Sequence, residues 1–143
     1  MTFENAVTAL GLLGIGGLVA TYFRIAWERK KEAQLHKQEF KEERYKCVIL
    51  LMHAALDFDK HALLLRQDRP DLSSHEALID ELQTEWHNMI LFSSEDVLVA
   101  VHRFILSPSV ENFRKSAIAM RADLWGGKVS EHILNLDFSE IGS

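Results

Sequence analysis

No lysine or arginine occurs before Arg24, and Glu4 is the only charge in that stretch. From Asn5 to Phe23 the chain runs 19 residues without any charge. A helix of that length spans ~28 Å, close to the ~30 Å hydrocarbon core of a bilayer. The missing basic residues argue against a cleaved secretory signal, which needs a positive n-region and a small-residue cleavage site. Bulky and then charged residues follow the run instead. Cysteine is nearly absent too: Cys47 stands alone, which excludes an internal disulfide and suits a reducing compartment. Its neighbours Val48, Ile49, Leu50 and Leu51 point to a buried, inert thiol. Proline occurs only twice, at Pro70 and Pro108, each in a break between apolar segments. No segment alternates apolar and polar residues as a strand would, which leaves an all-α chain.

What is present sets the organisation. The uncharged run predicts a single N-terminal transmembrane helix, with residues 1–27 as the anchor. Arg24, Arg29, Lys30 and Lys31 crowd its C-terminal flank. The positive-inside rule then places the N-terminus outside and the rest in the cytoplasm. Tyr22 and Trp27 occupy the interfacial positions that aromatics favour. Four of the seven glycines fall in the run, and Ala9, Gly16 and Ala20 share a helix face, with Gly17 beside it. Small residues let helix backbones approach closely in lipid, so these four positions predict membrane-helix packing and a homo-oligomer.

A charged juxtamembrane stalk helix is expected over 28–46 and a small cytosolic helical bundle over 47–143. Residues 24–46 hold eight Lys/Arg against five Glu, whereas 47–143 hold eight Lys/Arg against fifteen Asp/Glu. The basic stretch suits anionic headgroups, and the acidic remainder argues against duplex nucleic acid as a partner. The segment 28–66 contains no Gly or Pro and predicts uninterrupted helix. Within it the core character starts at Tyr45 and continues through Val48, Leu51, Met52, Ala55, Leu56 and Leu63. Ser73 with Glu76 forms a capping box before Leu78, Leu82, Trp86, Met89 and Ile90. Ser93 with Asp96 predicts the next cap, ahead of Val97, Leu98, Val101, Phe104 and Ile105. Pro108 is expected at the first helical position of the last helix, which carries Val110, Phe113, Ala117, Met120 and Leu124. Gly126 and Gly127 close it. The tail from Lys128 keeps Ile133, Leu134, Leu136, Phe138 and Ile141 and is expected to pack on the bundle or on a partner.

Little here points to chemistry. His53, Asp57 and His61 recur every four residues, the only spacing that suggests a metal, but one helix rarely supplies a full ligand set. An Asp57–His61 surface pair explains it as well, and His53 is expected nearer the core. His87 and His102 sit beside apolar residues as core or edge histidines. No nucleophile–base spacing stands out, and the glycines at 14, 16 and 17 follow no strand, which rejects a phosphate loop. The expectation is no catalytic residue, no metal and no cofactor. Basic residues near the end of the last helix are more suggestive. Arg114, Arg121, Trp125 and Lys128 place charge beside a stacking surface, the combination a small nucleotide ligand would use. A solvated face with Glu111 and Asp123 as ion-pair partners is the alternative.

Two short motifs carry a resemblance. They are LFSSEDVLVAVHRFI, Leu91–Ile105, and AMRADLWGG, Ala119–Gly127. The chain resembles a widespread, largely uncharacterised group of small bacterial single-pass membrane proteins with a cytosolic helical domain. In that group a Gly-Ser-x-Glu-Val turn precedes one helix and Met-Arg-x-Asp-Leu-Gly ends another. Here Phe92-Ser93 replaces the aromatic–glycine pair, and Ser94, Asp96 and Val97 continue the turn. Met120, Arg121, Asp123 and Leu124 keep the second motif, with Trp125 inserted before Gly126. Some small membrane proteins of similar layout serve antiphage defence, and a CRISPR-associated one senses a cyclic oligonucleotide. The expected function is a membrane-anchored, oligomeric interaction or regulatory protein with a protein partner. The alternative is a defence effector gated by an anionic cyclic nucleotide.

Overall fold

The computed structural model describes the backbone of residues 3–129 and 132, and the side chains of residues 21–129 and 132 apart from Leu64. Every regular element of length among them is an α-helix: α1 (Phe3–Leu56), α2 (Phe58–Asp68), α3 (His75–Met89), α4 (Glu95–Leu106) and α5 (Val110–Trp125). The chain is all-α, as its pattern predicts. Among the described residues no helix is long and apolar enough to cross a membrane. The run expected to span lies outside the described side chains as far as Ala20, and so do its packing positions Ala9, Gly16, Gly17 and Ala20. The apolar tail residues from Ile133 onward also lie outside the described residues.

The chain divides into two units, Met1–Glu39 and Phe40–Ser143. In the first, the described side chains from Thr21 to Glu39 are exposed except for half-buried Gln38. Arg24 pairs with Glu28 at 3.3 Å and His36 with Glu39 at 3.6 Å, one helical turn apart. Such solvated pairs contribute little to stability. Tyr22, Phe23, Ile25, Trp27 and Leu35 are exposed along the same stretch, the first four in its opening two turns.

The second unit holds the core. Helical spacing brings Tyr45, Val48, Met52 and Ala55 of α1 inward, with Leu78, Leu82 and Met89 of α3. Val97, Val101 and Phe104 of α4 and Met120 of α5 complete it. Leu72 pins the α2–α3 connection against the same core. Ser116 is also fully buried, and its hydroxyl donates to the Asn112 carbonyl at 2.9 Å, which satisfies that buried oxygen. Trp86 uses its indole N–H in the same way, donating to the Leu98 carbonyl at 2.8 Å and stitching α3 to α4.

Four local expectations need correction. Helix does not continue through 66: Asp57 breaks it, with φ −147° and its carboxylate accepting the Lys60 N–H. A short carboxylate able to cap a new helix outcompetes continuation of the old one. The cap of α3 is Ser74, not Ser73, its hydroxyl accepting from Ala77 at 3.1 Å. The N-cap of α4 is Ser94, and its side chain makes no capping bond. Pro108 stays outside α5, where Ser109 caps by accepting the Asn112 N–H. Some apolar residues face water as well. Leu63 is 76 % exposed, and Ile90 is 52 % exposed because α3 ends at Met89 and the chain turns there. The double-glycine stop holds: Gly126 caps α5 at φ 71°.

These burial differences predict the energetics. Phe104→Ala removes a fully buried ring and should cost about 3–5 kcal/mol. Leu63→Ala should stay within about 0.5 kcal/mol. Chemical denaturation of the two variants alongside the parent protein measures both.

Candidate functional site

The second unit contains a dense polar knot, and a cavity borders it. The knot centres on Asp123, near the C-terminal end of α5. Lys41 Nζ donates to Asp123 Oδ2 at 2.7 Å, and the Tyr45 hydroxyl donates to the same oxygen. The Ser94 N–H at the start of α4 points to it from 3.5 Å. One carboxylate therefore ties α1, α5 and the α3–α4 turn together. The turn is also held by aromatic contacts: Phe92 lies 5.4 Å from Phe40 and 6.0 Å from Tyr45, centroid to centroid. Burial alone would raise the Asp123 pKa, but the Lys41 and Tyr45 donors outweigh it and hold the carboxyl below its ordinary value. Burial, reinforced by the Asp123 carboxylate, pushes the Tyr45 phenol above its usual range. A second bridge reinforces the frame: one Arg44 nitrogen contacts both oxygens of buried Glu85, at 2.7 and 2.6 Å.

Beside the knot a cavity of about 470 Å³ opens between α1 and α5. Tyr45, Ile49 and Leu50 form one wall and Ala117, Met120 and Leu124 the other. Glu42, Lys46, Arg121 and Trp125 stand at its margin. Lys46 and Glu42 pair at 2.7 Å. The groove is thus apolar in its walls and charged at its margin. Leu50 and Trp125 are 67 % and 65 % exposed.

Of the four expected ligand residues, Arg121 and Trp125 line this groove. Arg114 lies two turns earlier on the same stripe of α5 and is half-buried, while Lys128 follows the double glycine and is exposed; neither is among the groove's lining residues. The expected Glu111–Asp123 surface role also divides. Glu111 pairs with Lys115 on α5, whereas Asp123 turns inward to Lys41. Lys41, Tyr45, Ile49 and Leu50 escape a search for chemistry because they sit about 75 residues from their α5 partners. Only the inward spacing from Tyr45 onward signals them.

The histidine spacing does not build a ligand set. Among the described residues no three His, Cys, Asp or Glu side chains are placed to hold a metal ion. His53 is exposed rather than near the core; its ring stacks edge-on against His61 at 4.7 Å. Asp57 between them is occupied as the α2 cap, and His61 Nδ1 lies 2.8 Å from the Asp57 carbonyl. His87 and His102 are exposed and flank Trp86, at 5.2 and 5.6 Å. Cys47 is half-buried, and burial together with Glu85 raises its thiol pKa, as befits an unreactive side chain. No family model, curated protein or solved structure matches the chain.

The knot has a pH signature. A carboxyl depressed on folding adds stability that is present above its unfolded value of about 4 and lost as pH falls through the folded value. Thermal melts between about pH 2 and pH 7 should show this acid loss, and Asp123→Asn should flatten it. Asp123→Ala leaves Lys41 and Tyr45 without their acceptor and should cost about 2–3 kcal/mol at neutral pH.

Proposed function

We propose that the chain is a membrane-anchored interaction protein, self-associated through its N-terminal helix, whose helical unit binds a protein partner at the cytoplasmic face of a bacterial inner membrane. The uncharged run from Asn5 to Phe23, followed at once by Arg24, Arg29, Lys30 and Lys31, is the observation that carries the reading. It has the length, the polarity and the one-sided basic flank of a span. The α1–α5 groove supports the second half of the reading. Its apolar walls and charged margin match the surface that receives an amphipathic segment of another protein. The same chemistry favours such a segment over an anionic nucleotide, because only Arg121 and Trp125 of the four expected ligand residues reach it and the margin's other cation, Lys46, is paired with Glu42. The nucleotide-gated reading therefore ranks second.

Fractionation of the full-length protein tests the anchor. It should pellet with membranes and resist alkaline carbonate, and deletion of residues 1–23 should release it. In mild detergent the parent should exceed its monomer mass. Gly16→Leu with Gly17→Leu should shift it toward monomer, since bulk on that face keeps the helices apart. Release of the parent by carbonate would end the membrane reading.

A further inference from the structure

We infer that His53 and His61 together form an open site for a borderline divalent transition ion such as Zn2+, seated across the joint between α1 and α2. By spacing alone the two histidines fall on one helix, which rarely supplies converging ligands. The break at Asp57 removes that objection. His53 lies in the last turn of α1, whereas His61 belongs to α2, which starts afresh at Phe58. The rings thus come from different elements, and their centres lie 4.7 Å apart with planes inclined by 60°. Metal–nitrogen bonds of ~2.0–2.1 Å put each ring centre ~3.2 Å from a shared ion, so imidazoles in adjacent coordination positions have centres ~4.5–5.2 Å apart. The observed separation falls within that interval.

The hydrogen bonding of His61 points the same way. Its Nδ1 lies 2.8 Å from the Asp57 carbonyl oxygen. A carbonyl oxygen only accepts, so Nδ1 carries the proton and Nε2 of the neutral ring keeps its lone pair. A histidine that ligates a metal through one nitrogen commonly donates the other to a carbonyl in this manner. His53 is exposed, with the Phe113 ring of α5 6.0 Å away, so ions in solution reach it while one side is backed. Imidazole suits zinc, copper and nickel rather than magnesium or calcium. No third His, Cys, Asp or Glu among the described residues is placed to join the pair. Two imidazoles are half of a tetrahedral set, and water completes it. Such an ion has something to hold. None of the described side chains of α2 is buried, so α2 is the helix with most to gain from a clip to α1. Binding to the folded pair alone makes that clip respond to the free-ion concentration. The inference is independent of both the anchor and the α1–α5 groove.

Titration of the untagged full-length protein in mild detergent tests it. The protein is first stripped with a chelator, and Zn2+ is then added against a chromophoric competitor. Uptake of one ion per chain is expected. His53→Ala replaces an exposed ring and spares the core. It should weaken uptake by at least ~10-fold, a loss that even an outer-shell partner of a ligand can cause. His61→Ala should weaken it as much, whereas His102→Ala and Cys47→Ser should leave it unchanged. In thermal melts Zn2+ should raise the melting temperature of the parent by several degrees and leave that of His53→Ala unmoved. Without metal the two proteins should melt together, which separates lost ligation from lost fold. No saturable uptake by the parent would overturn the inference. Uptake that survives His53→Ala would overturn it in favour of a different site. One ion per two chains would overturn the open site in favour of one completed by a second copy.

Discussion

Asp123 is the constraint on which the helical unit depends. A carboxylate with 13 % of its side chain exposed needs donors, and three parts of the chain supply them: Lys41 and Tyr45 of α1 and the backbone at Ser94. Because donors converge from α1 and from the α3–α4 turn, α5 can settle in only one rotation about its axis. That rotation buries Met120 and Ser116 and turns Ala117, Leu124 and Trp125 toward Ile49 and Leu50. The groove is thus a consequence of the knot. Hydrophobic burial alone would tolerate α5 rolling over to close it, since apolar contact is not directional. The directional bonds to Asp123 prevent this, and apolar surface stays open at Leu50 and Trp125.

The two motifs behind the family resemblance meet at the same point. Ser94 belongs to the first and Asp123 to the second, and the Ser94 N–H faces the Asp123 carboxylate. This gives a physical reason for an acidic residue near the end of that helix: it accepts the backbone N–H at the start of α4, an element that precedes its own in the chain. A negative charge already sits at the helix N-terminus, where the dipole and free N–H groups favour it. The contact is a structural joint between α4 and α5, and it bears on the fold and not on an activity.

Most of the architecture was legible because it depends on periodicity. Met52, Leu78, Leu82, Val97, Val101 and Phe104 recur at helical spacing, and all are fully buried. The misread boundaries share one cause. Ser73 and Ser74, Ser93 and Ser94, and Pro108 and Ser109 are adjacent pairs of good helix starters, and composition cannot choose between neighbours one residue apart. Asp57 was harder, because nothing nearby is a helix breaker and only its capping bond to Lys60 reveals the new start. The groove was half legible. Arg121 and Trp125 attract attention as charge beside an aromatic ring, but their counterparts on α1 looked like ordinary core or stalk positions. A site built by two distant helices leaves no local spacing to detect.

The distribution of charge looks different once the ion pairs are known. Counted by composition, the segment from Arg24 to Lys46 is a basic block facing an acidic remainder. Yet Lys41 and Arg44 are spent on Asp123 and Glu85, and Lys46 on Glu42. The charge left for an anionic lipid surface lies in residues 24–39, five Lys/Arg against three Glu. Residues 40–143 carry eleven Lys/Arg against seventeen Asp/Glu. The change of sign thus falls at the boundary between the two units, Glu39 to Phe40. Screening confines headgroup attraction to about 8–10 Å, so only the first turns after Arg24 would feel it. An acidic unit is repelled by the same surface. Under the proposed anchoring, that repulsion disfavours adsorption of the acidic unit to an anionic lipid surface.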